Sequence, residues 1–580
     1  MQVRWLGRVP YREALAVQEA VFAAGRGNHL LLMEHPHVFT HGPSANLADN
    51  LKCDPAAVGA DFVAVNRGGD ITYHGPGQLV GYPLLVLEGR NGADGPAESS
   101  LYVHRLEQVI IDALADLGVG DAGRFDGYPG VWLGVESGRP RKICAIGVRI
   151  GRRRTMHGFA LNVSTDLAYM RDHIVPCGIP SHPVTSLAEE GIDATMQQVV
   201  EAVSRRAAEA WTGGAAERHD VAWRSAPEDL SLFSRGEGPG QPVRLMSRLA
   251  RAGVEDAIDI SERKPDWIRP HVSMGDNVMG LKRTLRELSL VTVCEEAGCP
   301  NLSECWDSGT ATFMVLGERC TRACGFCLVD TRKPDAPDAD EPARVADAVR
   351  RMGLSFAVLT MVARDDLEDG GMSHVARCIA AIREVDPAIS VETLVSDAKG
   401  GHSLDILFDA SPDVMNHNVE TVPRLQHAVR PSAGYARSLS VLARSKSRGL
   451  VTKSGLIVGM GETDDEVRAV LMDLAAVGVD IVTIGQYLRP TTHHLPVARW
   501  VEPQMFAQYK EWGESFGIGH VESSPLTRSS YHAKDAASAA SVGGAGAASA
   551  ASVGGAGAAS AASGGAGAAS AAVPVTIGVR

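Results

Sequence analysis

Six of the ten cysteines in this chain of 580 residues fall between Cys294 and Cys327, in two trios. Cys294, Cys299 and Cys305 stand in CEEAGCPNLSEC; Cys320, Cys324 and Cys327 stand in CTRACGFC, a C-x3-C-x2-C spacing. Thiolate sulfur is the preferred protein ligand of iron–sulfur clusters and zinc. A structural zinc site takes four Cys or His ligands, often as two C-x2-C pairs, and neither trio has that form. Three sulfurs from one loop can hold a 4Fe–4S cluster and leave one iron open to chemistry. Structural zinc, disulfides and ordinary core cysteines are the competing readings. A further cysteine, Cys177, stands alone in the Pro/Gly loop IVPCGIPSHP, where packing would gain it little. It is a candidate nucleophile, which needs a nearby cation or base to lower its pKa. Lys142, leading into the apolar run of PRKICAIGVR, is the candidate partner, because a partly desolvated lysine can act as a base. Taken alone, Lys142 reads better as a surface lysine.

The elements that must position these residues fall into two halves. In the first, HLLLMEH (29–35), DFVAVN (61–66), QLVGYPLLVL (78–87), VWLGV (131–135), CAIGVRI (144–150) and HGFALNV (157–163) read as strands. Ser100 to Leu117 has helical spacing with Gly118 as its C-cap. Strands interrupted by a few helices predict a mixed α+β domain. NRGGDITYHGPGQLVGYP, 66–83, sets Arg67, Thr72 and His74 among glycines, which permit close backbone approach to a ligand or, more plainly, tight turns. No GxxxxGK[ST] loop is present to support ATP chemistry. Gly-, Pro- and charge-rich stretches at 213–262 read as a linker, with one short helix at LMSRLARAGVEDAIDI.

In the second half, apolar runs at 356–362, 388–395, 413–420, 455–463 and 480–488 alternate with amphipathic stretches such as MSHVARCIAAIREV. That alternation predicts a parallel sheet in an α/β partial (β/α) barrel, with polar residues gathered at the C-terminal strand ends. The tail, 536–580, repeats Ala, Gly and Ser, cannot build a core and is expected to be disordered. The domains expected are therefore 1–212, a linker at 213–262, 263–535 and the tail. A net charge of −13 gives no electrostatic case for nucleic acid. No run of eighteen apolar residues exists to span a membrane, and the N-terminus lacks a signal-peptide core. Clustered thiols then point to a reducing compartment, the cytoplasm.

CTRACGFC resembles the radical S-adenosylmethionine superfamily, and with CEEAGCPNLSEC before it the second half resembles lipoyl synthase. The resemblance implies a cluster on Cys320, Cys324 and Cys327 that binds S-adenosyl-L-methionine and generates a 5′-deoxyadenosyl radical. It implies an auxiliary 4Fe–4S cluster on Cys294, Cys299 and Cys305, with Ser530 of the RSSY motif as fourth ligand, although Ser530 alone would read as a helix N-cap. The family's reaction inserts two sulfurs, at C6 and C8 of a protein-bound octanoyl chain. Asn416, His417, Asn418 and Arg489 are candidate contacts to cofactor or substrate. The chain departs from the family pattern at Met361 and Ala363 in TMVARDD, and around Ser396 and Ala398.

RGGDITYHGPGQLVGYP, RKICAIGVR, MHGFALNV and VPCGI resemble lipoyl(octanoyl) transferase, which shares its fold with biotin and lipoate protein ligases. By that resemblance Cys177 takes octanoyl from octanoyl-acyl carrier protein as a thioester and Lys142 moves its protons. The substrate-binding residues would be Arg67, Gly68, Gly69, Asp70, Ile71, Thr72, Tyr73, His74, Ala145, Ile146, Gly147, Gly158, Phe159 and Ala160. The implied partners are the lipoyl domains of 2-oxoacid dehydrogenase E2 subunits, the glycine cleavage H protein, and an electron donor such as ferredoxin or flavodoxin. Two rival readings stay open: an ATP-dependent lipoate ligase joined to another radical enzyme, and a non-catalytic scaffold. Cys53, Cys144 and Cys378 match no motif and read as inert core cysteines.

Overall fold

The computed structural model describes residues 1–88, 99–223, 248–255, 257–269, 283–292, 310–397 and 402–539. Cys294, Cys299, Cys305, Ala398 and the tail from 540 lie outside the described residues. The chain divides into two compact units, the first ending its described course at Trp223 and the second beginning beyond it.

The first unit is built on β1 (Gln2–Arg8), β2 (His29–Glu34), β3 (Val38–His41), β4 (Asp61–Ala64), β5 (Thr72–His74), β6 (Gln78–Leu84), β7 (Gly123–Phe125), β8 (Tyr128–Leu133), β9 (Arg141–Gly151), β10 (Arg154–Asn162) and β11 (Glu217–Arg218). Eight of them form one mixed sheet in the order β11-β1-β2-β6-β10-β9-β8-β7, and β4-β3-β5 form a second, small one. The helix Ser99–Asp116 buries Tyr102, Val103, Leu106, Val109, Ile110, Ala113 and Leu114, the single stripe its spacing predicts. Gly118, at φ +90°, closes its C-terminus. The helix Met196–Thr212 starts with a capping box in which Thr195 and Gln198 satisfy each other's backbone N–H. Both helices share one core with the strands, through Leu106, Ile110, Val199 and Val203 against Leu30, Leu79, Val131 and Leu161.

The fold of this unit runs past the expected boundary at 212. β11 pairs with β1, Val221 N–H donates to Trp5 O at 2.9 Å, and Trp223 stacks on Trp5 with centroids 4.5 Å apart. A two-residue strand carries no periodicity, so composition alone read this stretch as linker. Farther along, Ile258 bridges to Val497, which ties part of the remaining expected linker to the second unit.

The second unit contains β12 (Val291–Thr292), β13 (Thr310–Val315), β14 (Phe356–Met361), β15 (Ser390–Leu394), β16 (Val414–Asn416), β17 (Val451–Val458), β18 (Ile481–Gln486) and β19 (His520–Ser523), hydrogen-bonded in that order. β13 to β19 are parallel throughout; β12 joins antiparallel at the edge. Parallel neighbours need a crossover, and helices such as Glu341–Arg351, Met372–Val385 and Asp464–Ala476 supply it. A strand order that never reverses belongs to a partial barrel, not to a doubly wound sheet. The five central strands were legible as apolar runs. β13 and β19 were not, lying beside cysteine and turn residues.

The barrel interior holds a polar layer that hydropathy could not reveal. Lys453 of β17 places Nζ 3.0 and 3.1 Å from the two carboxylate oxygens of Glu392 on β15, and Asn416 of β16, between them, donates to Glu392 Oε1 at 2.7 Å. All three are fully buried. Removing one member of such a pair strands a buried charge, whereas replacing both members is often close to neutral. Lys453→Met should therefore destabilise the second unit by about 3–5 kcal/mol, and Lys453→Met with Glu392→Leu should restore most of that loss. Chemical denaturation of the full chain measures both; equal losses would contradict this account.

Candidate active sites

The motifs of the first half converge on one cavity of about 140 Å3. Its lining includes Arg67, Gly68, Gly69, Asp70, Thr72, His74, Lys142, Ala145, Ile146, Gly147, Gly158, Phe159, Ala160 and Cys177. Two residues of the expected set do not line it. Ile71 and Tyr73 pack into a separate core with Phe39, Leu167, Met170 and Ile174. Strand alternation is the reason: β5 turns Thr72 and His74 to one face and Tyr73 to the other. Ile71 still serves the site through its carbonyl, which accepts the Cys177 N–H at 2.9 Å. The structure adds Tyr11, Tyr82 and His157 to the wall. They come from three separate elements; Tyr82 and His157 fall within motifs that the sequence had marked, and Tyr11 does not.

Cys177 sits in the short turn Pro176–Gly178 at φ +55° and ψ 20°. A non-glycine residue in this left-handed region costs about 1–3 kcal/mol and persists only where surrounding contacts impose it, as at active sites. Gly147 is required by close approach: a Cβ there would lie 3.1 Å from both Arg67 Cδ and Gly68 O. Arg67 is buried and donates to Thr40 O at 2.7 Å and Asp70 O at 2.9 Å, while its Nε finds no hydrogen-bond partner.

Three histidines near this cavity are neutral at physiological pH. Burial pushes His35 down to about 4 and His157 down to about 3, and it lowers His74 as well. The partners fix their tautomers. His35 Nδ1–H donates to Val9 O at 2.7 Å, so Tyr82 Oη donates to Nε2, also at 2.7 Å. Gln78 spends its amide donor on Asn162 and Tyr73, so its Oε1 accepts from His74 Nδ1–H at 2.8 Å. The cations lining the cavity are Arg67 and Lys142, set against the one carboxylate of Asp70.

The second unit has a larger cavity, about 620 Å3, at the C-terminal ends of the barrel strands. Cys320, Cys324 and Cys327 line it, together with Arg322, Asn418, Glu420, Arg430, Arg489 and Ser530. The loop carrying the cysteines follows β13 and is stitched to the segment after β14. Thr321 donates from both its N–H and its hydroxyl to Ala363 O, each at 2.9 Å. Arg322 pairs with Asp365 at 2.8 Å and with Asp397 at 2.5 Å. Burial works to raise the Asp397 carboxyl, yet the Arg322 guanidinium holds it below the usual range.

Cys320 Sγ accepts the N–H groups of Arg322 at 3.4 Å and Ala363 at 3.3 Å. Ala363 thus acts through its backbone, which any side chain at that position would supply. Burial, with neighbouring cysteines adding to it, pushes the thiol of Cys324 up to about 11 and that of Cys327 up to about 12. The three sulfurs therefore share one neighbourhood, and iron binding must expel their protons. Backbone N–H donors on one sulfur and the cations of Arg322 and Arg430 in the wall suit a thiolate-held, anionic cluster. Among the described residues no three His, Cys, Asp or Glu side chains converge to hold a single metal ion.

Asn418, Arg489 and Ser530 line this cavity, but Asn416 and His417 do not. Asn416 is spent on Glu392, and His417 is buried between Val395 O and Ser438 Oγ, 2.9 Å from each. No helix among the described residues is long and apolar enough to cross a membrane.

A partial parallel barrel with three cysteines on the loop after its first parallel strand defines the class of radical S-adenosylmethionine enzymes, and residues 314–474 match the radical SAM superfamily model. Residues 250–299 match the N-terminal domain of lipoyl synthase of that family, and residues 10–208 match the lipoyl protein ligase A/B catalytic domain. The lipoyl synthase of Rubrobacter xylanophilus is 53% identical over 286 residues, covering 49% of this chain and 89% of that protein. Those of Mycobacterium leprae (50% over 301 residues, 51% and 96% covered) and Thiobacillus denitrificans (52% over 286 residues, 49% and 92% covered) are similar. The chain belongs to the lipoyl synthase family, with a lipoyl ligase/transferase-type catalytic domain preceding the synthase domain.

Among solved structures, a bi-partite lipoate protein ligase with its E2 lipoyl domain from Thermoplasma acidophilum is 17% identical with a TM-score of 0.33, covering 38% of this chain and 87% of that one. By its family-model matches and its lipoyl synthase relatives, the protein is an enzyme of lipoate biosynthesis, joining a transferase domain to a sulfur-inserting radical domain. Its families imply a 4Fe–4S cluster, S-adenosylmethionine and lipoyl-domain substrates.

The Arg322 clamp makes a prediction of its own. Arg322→Met frees the cysteine loop from Asp365 and Asp397, and iron retention at Cys320, Cys324 and Cys327 should weaken by about 10- to 100-fold, the usual cost of losing an outer-shell partner. Release of iron to a chelator after anaerobic reconstitution measures this, with Arg322→Lys expected to keep part of the effect.

Proposed function

We propose that one polypeptide performs two successive steps: octanoyl transfer in the first unit and sulfur insertion in the second. The observation that supports this best is the presence of Cys177 and Lys142 on one cavity wall, in a chain whose other unit gathers three cysteines on another. In the first step the Cys177 thiol gives its proton to the Lys142 amine, and its sulfur adds to the thioester carbonyl of octanoyl-acyl carrier protein. The carrier thiolate leaves and takes the proton. A lysine amine of a lipoyl domain then attacks the Cys177 thioester, forming the amide, and its proton returns to the cysteine through Lys142. The thioester donor already carries the activation energy, so no ATP is consumed. Arg67, Gly68, Gly69, Asp70, Thr72, His74 and the Ala145–Gly147 and Gly158–Ala160 backbones would form the acyl-binding wall.

In the second step Cys320, Cys324 and Cys327 would hold the radical-generating 4Fe–4S cluster, and Cys294, Cys299, Cys305 and Ser530 an auxiliary one. When bound, these clusters and S-adenosylmethionine supply the carbon radical and the sulfur that unactivated C–H bonds at C6 and C8 demand. The protein contributes orientation and exclusion of water. Met314, Val362, Leu394 and Ile457 give the cavity apolar wall for an alkyl chain, while Asn418, Glu420, Arg430 and Arg489 supply its polar contacts. E2 lipoyl domains and the H protein would be the acceptors, ferredoxin or flavodoxin the electron donor and the cytoplasm the site of action. Fusion raises the effective concentration of the second site for a carrier domain just released by the first.

Two measurements test this reading. Incubation with octanoyl-acyl carrier protein, without ATP, should add one octanoyl group at Cys177; Cys177→Ala should abolish the adduct, and Lys142→Ala should slow its formation by about 10^2- to 10^4-fold. A requirement for ATP would refute the transfer mechanism. Anaerobic reconstitution should give about eight iron per chain, falling to about four in Cys320→Ala, and a single cluster lost with Cys320 would refute the second site.

A further inference from the structure

The pairing of β8 with β9 slips between Val131, opposite Cys144, and Trp132, opposite Lys142. A bulge of this kind re-aims a side chain, often beside an active site. Here it sets Trp132 directly across from Lys142, whose Nζ lies 4.7 Å from the ring centroid. The lysine stem reaches the ring along Gly130, where a Cβ would lie 3.5 Å from Lys142 Cε and 2.5 Å from Cys144 O. Trp132 is only 1% exposed, and its indole N–H donates to Tyr128 O at 2.9 Å, which fixes the ring plane.

The same ring meets His182 edge-on, with centroids 5.8 Å apart at 85°. His182 belongs to the loop that carries Cys177, and that loop is sewn to the backbone of Lys142 itself. Lys142 N–H donates to Pro183 O, and Thr185 N–H donates to Lys142 O, each at 2.9 Å. Trp132 therefore touches the lysine on one side and the nucleophile's loop on the other. A cation over an indole face is attracted by the ring quadrupole, most strongly where water is excluded. The ring face thus anchors the lysine head-group on the cavity wall that Cys177 also lines.

We infer that Trp132 is a positioning residue for acyl transfer: its indole face holds the Lys142 ammonium in the cavity that Cys177 lines, and its edge, through His182, fixes the Cys177 loop against that lysine. This rests on the reading of Cys177 and Lys142 as nucleophile and proton carrier. The test is the pH dependence of Cys177 alkylation by iodoacetamide in the full chain, read by mass spectrometry of the Cys177 peptide, beside the rate of octanoyl transfer. Trp132→Leu should move the alkylation midpoint upward, toward that of Lys142→Ala, and slow transfer by about 5- to 30-fold. Trp132→Phe, which keeps a ring in the core and holds the test open if the leucine variant does not fold, should lie between Trp132→Leu and the wild type. His182→Ala should slow transfer with little change in the midpoint. A folded Trp132 variant with the wild-type midpoint, beside a shifted Lys142→Ala, overturns the inference. A Lys142→Ala midpoint equal to wild type overturns the underlying proton-transfer reading instead, and the role of Trp132 falls with it.

Discussion

Every strand of a parallel sheet ends on the same rim, and the second unit depends on that constraint. β13 to β18 deliver the cysteine loop, the Ala363 backbone, Asp397, Asn418, Glu420, Ile457 and Gln486 to one end of the barrel, though these residues span more than a hundred and sixty positions of chain. The rim gathers them but does not fix the cysteine loop in place. That falls to Arg322, whose guanidinium meets Asp365 from the end of β14 and Asp397 from the end of β15. The loop is thus referenced to two neighbouring strands by charge, and to a third segment by the hydrogen bond from Gly325 N–H to Val429 O at 2.8 Å.

The two cavities use burial in opposite ways. Around the first, desolvation strips His35, His74 and His157 of charge and leaves them as neutral hydrogen-bonding groups with fixed tautomers. Arg67 and Lys142 are then the cations left on the cavity wall, as the proposed acyl transfer through Cys177 would need. In the second, burial holds Cys324 and Cys327 protonated until a cation replaces the proton. Each site is apolar enough to amplify charge, and under the proposed function each spends that on sulfur chemistry: one on a nucleophile, the other on ligands. The Lys453–Glu392 pair deep in the barrel shows the cost side of the same physics, two charges retained in the interior where each is tolerable only because of the other.

Much of the site was legible in the sequence because sulfur ligands and nucleophiles carry local signatures. The spacing of Cys320, Cys324 and Cys327, the Pro/Gly setting of Cys177 and the glycine-dense 66–83 segment each announce themselves within a few residues. Neighbours of those signatures were less reliably assigned. Ile71 and Tyr73 fall inside a motif yet face away from the cavity, and Asn416 and His417 adjoin Asn418 yet serve the barrel core. In each case a motif marks a stretch of chain, while strand alternation decides which members of it reach the site.

Helical and strand periodicity, cysteine spacing and turn chemistry were set by the sequence itself, because each depends on residues within a few positions of one another. The mixed sheet order of the first unit, the return of β11 and Trp223 to β1, and the bulge that brings Trp132 over Lys142 were decided only in the tertiary structure. So were the neutral histidines, the clamp on Arg322 and the buried Lys453–Glu392 pair. Those features depend on distance and desolvation between residues far apart in the chain, and neither quantity exists until the chain has folded.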